Sequence, residues 1–209
     1  MYVSNTDRPI VQDHSGHATS TGLNHRKLLM WAFLGSDCLF FGSLILLYML
    51  YRGQSITGTN PQETFNIPYT SVSAFVLLMS SLAMVLALAA VQRGDLPRMR
   101  IWIVATALLG MTFLGGQFYE FTGFYLYKHL TLHENLFGTT FFVLTGFHGA
   151  HVTLGVIWLL SIFVLSFFGK IRQDNSLDVE IAGLYWHFVD IVWIIIFTLV
   201  YLVPYKPGI

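Results

Sequence analysis

Gly146-Phe147-His148-Gly149-Ala150-His151 sits near the middle of an apolar run from about Phe137 to Phe168. The run exceeds the roughly 20 predominantly apolar residues that a helix needs to cross a bilayer, so both histidines are expected at membrane depth. In a helix, positions i and i+3 share a face. His148 and His151 then point the same way, while Gly146, Gly149, Ala150 and, further along, Gly155 let another backbone come close. Imidazoles turned to lipid would leave nitrogens unsatisfied at a cost of about several kcal/mol each. This face is therefore expected to lie against protein.

Composition extends the membrane reading to the whole chain. Of 209 residues 55% are hydrophobic and 11% charged, with a mean hydropathy of +0.62; soluble domains carry about 25% charge. Lys plus Arg equals Asp plus Glu at 11 each, so neither a nucleic-acid partner nor an acidic solvating tail is indicated. The single cysteine, Cys38, excludes an internal disulfide and reads as a small buried hydrophobe rather than a redox group.

Five apolar runs are each long enough to span: about 27–51, 69–91, 101–127, 137–168 and 179–203. The expectation is an all-α integral membrane bundle of five transmembrane helices, residues 26–209, behind a flexible polar tail over residues 1–25. That tail lacks an apolar signal-peptide core, and its His14, His17 and His25 read as solvated rather than metal-binding. Asn24 is placed to cap the first helix, Pro68 and Pro97 lie at or just before helical starts, and Pro204 stops the last. Asp178 and Glu180 suit the positive dipole end of the fifth span. Aromatic residues near the expected ends, Trp31, Tyr48, Tyr51, Trp102, Tyr125, Tyr127, Tyr201 and Tyr205, are expected in interfacial belts.

Lys and Arg fall unevenly on the flanks, eight on the side of the N-terminus against three on the other. The positive-inside rule then places the N-terminus in the cytoplasm and the C-terminus outside. Loops are short apart from residues 52–68, leaving no room for a soluble domain, and no internal repeat of the transporter kind is visible.

Ionisable residues inside the spans are few: Asp37 on the first, Glu120 on the third, His148 and His151 on the fourth, His187 and Asp190 on the fifth. Such residues are functional candidates by default. At roughly 1.5 Å rise per residue, Asp37, His187 and Asp190 fall at comparable depth in the inner half of the membrane, within reach of one network, while Glu120 and His148 both lie toward the outer side on consecutive antiparallel spans, offset by about 6 Å. Trp186 and Trp193, seven residues apart, form one packing stripe. Three uses of the polar residues stay open: mutual satisfaction that fixes helix packing, proton relay, and metal or haem ligation. A bis-histidine haem needs two opposed imidazoles at matched depth, which the shared face of His148 and His151 does not supply.

At these motifs the chain resembles subunit III of the haem-copper terminal oxidases. The likeness is carried by Gly138-Thr139-Thr140-Phe141-Phe142-Val143-Leu144-Thr145-Gly146-Phe147-His148-Gly149-Ala150-His151-Val152 and by Tyr185-Trp186-His187-Phe188-Val189-Asp190-Ile191-Val192-Trp193. Phe118-Tyr119-Glu120 and Phe33-Leu34-Gly35-Ser36-Asp37-Cys38-Leu39-Phe40-Phe41 resemble two further family segments, the last with Asp37 where many members carry glutamate. Longer members have seven helices and a cleft holding phospholipid; this chain resembles the shorter bacterial form without the first two. The resemblance implies a subunit of a respiratory oxidase in a bacterial plasma membrane, with no catalytic, metal or cofactor site of its own. Its partners would be subunit I, which holds the haems and copper, together with subunit II, small subunits and bound phospholipid. Its role would be to sustain proton uptake and turnover. The order Tyr-Trp-His-Phe-Val-Asp looks more like cytochrome c oxidases than quinol oxidases, the alternative. A membrane transporter or a b-type haem protein is the alternative of another class.

Overall fold

Apolar runs longer than the hydrocarbon core become helices because an intrahelical ladder alone satisfies every backbone N–H and C=O without water. The computed structural model describes residues 24–52, 67–127, 136–171 and 176–203. Within them lie five helices, each holding a span long and apolar enough to cross a membrane: α1 (His25–Tyr51), α2 (Ile67–Gln92), α3 (Leu96–Tyr127), α4 (Leu136–Phe167) and α5 (Leu177–Ile196). A π-helical turn, Phe197–Leu202, carries α5 onward. Residues 1–23, and with them His14 and His17, lie outside the described residues, as do Pro204 and Tyr205.

Helix ends follow local chemistry. The Asn24 side chain accepts a bond from Arg26 N at 3.0 Å, so the first helix is capped where expected. The third starts at Leu96 rather than near Ile101, because Asp95 accepts from Arg98 N at 3.1 Å and holds the first turn. Pro68 and Pro97 accordingly fall inside the first turns of α2 and α3, where a missing N–H breaks no helical bond. Gly94, with φ of 78°, makes the left-handed step between α2 and α3.

Helix α3 is flanked by α2 and α4, α5 lies against both of those, and α1 packs on α4 and α5. The span in α5 is 56% buried and that in α1 only 22%, so the last helix is the inner one and the first is peripheral. Leu39, Phe118 and Phe168 face outward while Asp37, Gln117, Glu120, His148 and Asp190 face inward. Lipid is as apolar as leucine, so association rests on close packing and interior polar bonds.

Trp186 shows how tight that packing is. A Cβ on Gly110 of α3 would come within 2.6 Å of its ring and one on Gly155 of α4 within 2.9 Å. Its indole Nε1 donates to Ser80 Oγ of α2 at 2.9 Å. One side chain thus engages the three other inner helices. Gly149 also serves packing, with the Gln117 amide 2.8 Å from where its Cβ would be, but a Cβ on Gly146 would meet nothing and Ala150 is exposed. The expected small-residue face is therefore narrower, resting on Gly149 against α3 and Gly155 against α5.

Other expectations change as well. Cys38 is exposed on the outer face of α1, since its neighbour Asp37 takes the inward position. Tyr48 and Tyr201 are buried within the bundle, not in an interfacial belt, whereas Trp31 is exposed. The starts of α1 and α5 share one end, tied by Arg26 to Asp178 and Lys27 to Glu180. Arg100 joins that end to the last turn of α4 through Ser166.

Candidate functional site

The polar side chains form four centres, joined differently from the depth count. Asp37 meets His151 of α4: Oδ2 lies 3.4 Å from Nε2, an ion-pair distance longer than a well-formed hydrogen bond. The other ring nitrogen, Nδ1, bonds the Phe147 carbonyl at 2.7 Å. A carbonyl only accepts, so Nδ1 carries a proton. That leaves Nε2 as the nitrogen that faces the carboxyl, whose Oδ2 has no hydrogen bond of good geometry among the described residues. Phe41 edges against the His151 ring at 5.0 Å and Phe40 lies at 6.3 Å, so the pair has an apolar surround. Tyr185 OH donates to the His151 carbonyl at 3.0 Å and anchors that turn to α5.

His148 points into the core. Its Nε2 lies 3.2 Å from the Val189 carbonyl, which makes Nε2–H the donor. Phe113 and Trp193 enclose the ring at 5.8 Å and 4.9 Å, and Phe41 lies at 6.4 Å. Its Nδ1 and the Trp193 Nε1 are buried without a hydrogen-bond partner among the described residues, as is the Gln117 Oε1. The Gln117 amide donates to the Thr145 carbonyl at 2.7 Å, crossing from α3 to α4.

His187 is met by Ser81 of α2, whose Oγ lies 2.6 Å from Nδ1. Asp190, one turn along, is buried beside that same hydroxyl, yet neither carboxyl oxygen has a hydrogen bond of good geometry among the described residues. Asp37 does not join these two, although the three were grouped by depth, because α1 turns its carboxyl toward α4. Glu120 does not meet His148 either. Its Oε1 accepts from Thr70 Oγ1 at 2.8 Å and its Oε2 from Tyr201 OH at 3.3 Å, tying α2, α3 and the π-helical turn together.

Sequence reading passed over Thr70, Ser80, Ser81, Gln117 and Gly110, and gave Tyr201 only an interfacial place. A hydroxyl or amide within a long apolar run is a usable signal for four of them, since each needs an interior partner at membrane depth. Nothing in the sequence marks Gly110 or the inward turn of Tyr201. Among the described residues no cluster of three or more His, Cys, Asp or Glu is placed to hold a metal ion.

The chain as a whole can be set beside known proteins by sequence. The sequence model of the family described as cytochrome c oxidase subunit III matches residues 8–205. The chain belongs to that family. As a subunit III chain it is a component of a haem-copper oxidase complex and a multi-pass membrane protein. It is 36% identical to a probable quinol oxidase subunit 3 of Staphylococcus saprophyticus, over 86% of this chain and 90% of that one. It is 35% identical to the cytochrome c oxidase subunit 3 of Bacillus sp. strain PS3, over 89% of each. A quinol oxidase subunit 3 of Bacillus subtilis strain 168 is 36% identical over 82% of this subunit III and 84% of its own length. The likeness thus reaches oxidases of both donor types.

Proposed function

We propose that this chain is the non-redox accessory subunit of a bacterial plasma-membrane cytochrome c oxidase, seated on the catalytic subunit I and sustaining its proton uptake. The observation that carries the proton role is the contact of Asp37 with His151. It is a carboxyl–imidazole contact of 3.4 Å, at membrane depth and between two helices, and intramembrane carboxylates and imidazoles mark proton pathways. Against a haem-ligand role stand the engaged imidazoles: His148 is bonded to Val189 and caged by aromatic rings, and His151 is held by Phe147 and Asp37. Haems and copper belong, in this reading, to the partner subunits. Cytochrome c as donor rests on the order Tyr185-Trp186-His187-Phe188-Val189-Asp190 in α5.

The test compares Asp37→Asn, which keeps size and hydrogen bonding but cannot titrate, with Asp37→Ala, which removes both. With subunit III still bound, Asn is expected to lower sustained oxygen consumption and proton release at alkaline pH. Wild-type behaviour of Asn, with only Ala loosening the subunit, would leave packing as the sole role. Separated from its partners, the chain is expected to show no Soret band, and in liposomes alone to move no solute; a haem retained at one per chain would favour the b-type cytochrome. Membranes that respire on a quinol but not on reduced cytochrome c would reassign the donor.

A further inference from the structure

Three polar atoms in the centre of the bundle have no hydrogen-bond partner among the described residues: Gln117 Oε1 on α3, His148 Nδ1 on α4 and Trp193 Nε1 on α5. Their side chains are deeply buried, with 8%, 0% and 2% exposure. What each side chain already holds fixes the role of the atom left over. A charge enclosed by Phe41, Phe113 and Trp193 would be costly, so the His148 ring is neutral, and its Nε2–H goes to the Val189 carbonyl. Nδ1 is then an acceptor. The Thr145 carbonyl takes the Gln117 amide nitrogen, so Oε1 is an acceptor as well. An indole nitrogen only donates. The three stand in one neighbourhood. The His148 and Trp193 ring centroids are 4.9 Å apart, and Phe113, one turn before Gln117 on α3, meets those rings at 5.8 Å and 4.7 Å. Gln117 Oε1 lies 2.8 Å from the point where a Cβ on Gly149, the residue after His148, would stand.

We propose that Gln117, His148 and Trp193 bind one internal water molecule, which accepts from Trp193 Nε1–H and donates to His148 Nδ1 and Gln117 Oε1. Two acceptors and one donor match the two protons and a lone pair of water, and buried waters make about three hydrogen bonds. The same set rejects ions: a cation would meet the indole N–H, and an anion would meet the two acceptor lone pairs. Gly149 belongs to the site, because any side chain there would press on the amide oxygen. The water joins α3, α4 and α5 at one point and holds His148 in the Nε2–H form. That form fits a histidine committed to the core, one turn from the His151 that meets Asp37. The site rests neither on the electron donor nor on the proton role.

The experiment is a cryo-EM map of the detergent-purified wild-type oxidase complex, at a resolution that shows ordered water. A single solvent peak is expected about 2.7–3.2 Å from all three atoms. The absence of a peak, or a Gln117 turned so that its oxygen meets Trp193 Nε1 directly, overturns the site. In Trp193→Phe, which keeps an aromatic ring and removes the donor, the peak is expected to be lost. Where that variant lowers the yield of complex, Gln117→Met replaces it by removing an acceptor, with the same loss expected. A peak that persists at full occupancy in the variant overturns the three-way site.

Discussion

The Asp37 carboxyl and the His151 imidazole are in contact across two helices. Because His151 Nδ1 is committed to the Phe147 carbonyl, only its Nε2 can exchange a proton with Asp37. Removing either partner should therefore disable the same unit. Asp37→Asn and His151→Gln are each expected to reduce alkaline-side oxygen consumption, and the double variant to be little worse than either, since coupled groups are not additive. Two effects that simply add in a steady-state assay of the four complexes would show that the residues act apart. His148 is a different case: its ring is locked by Val189 and by Phe113 and Trp193, so it is expected to matter for packing. The pair was not legible beforehand. Helical rise gives the height of a residue but not the direction in which its helix is turned, so Asp37 was matched to His187 and Asp190 at its own depth rather than to His151.

At the scale of the elements the chain was far more readable. The lengths of the apolar runs gave all five helices, and Asn24, Asp178 and Glu180 marked helix starts. What escaped was azimuth again. Tyr201 stood near a helix end and read as an interfacial residue, but the π-helical turn over Phe197–Leu202 carries its ring inward to Glu120 and Phe141. Tyr201→Phe should keep the ring packing and lose only the hydroxyl bond, about 0.5–1.5 kcal/mol, read as earlier thermal loss of the subunit. Gly110→Ala is expected to be worse, because the added methyl meets the Trp186 ring on a helix that cannot easily retreat; overpacking costs about 1–3 kcal/mol. If Gly110→Ala proves neutral while Gly155→Ala does not, the ring is held by α4 alone.

For the molecule as a whole, the ties between Arg26 and Asp178, Lys27 and Glu180, and Arg100 and Ser166 gather the arginine-rich turns at one end. By the positive-inside rule that end is expected to be the cytoplasmic one. Reporter fusions in the turns at Gly94 and Gly169 are expected to read cytoplasm and a fusion after Lys206 to read outside. A periplasmic signal at Gly94 would invert the orientation. Charge counting needs only the order of loops along the chain, which the sequence states outright, and the fusions are its test.

The inner position of α5 bears on how the protein is made. Synthesis runs from the N-terminus, so α1 enters the bilayer first, yet the surfaces that receive it belong to α4 and α5, which arrive last. Until α5 is in place, α1, with its buried Asp37, Phe41 and Tyr48, lacks one of the two helices it packs on. The nascent first helix must wait for α4 to bring His151 to its carboxyl, and for α5 to supply the second surface. A chain halted after α4 should accordingly remain bound to an insertion factor that the full-length chain releases, which photocrosslinking from the α1 face around Asp37 would detect; equal release of both lengths would show that α4 alone suffices to receive α1.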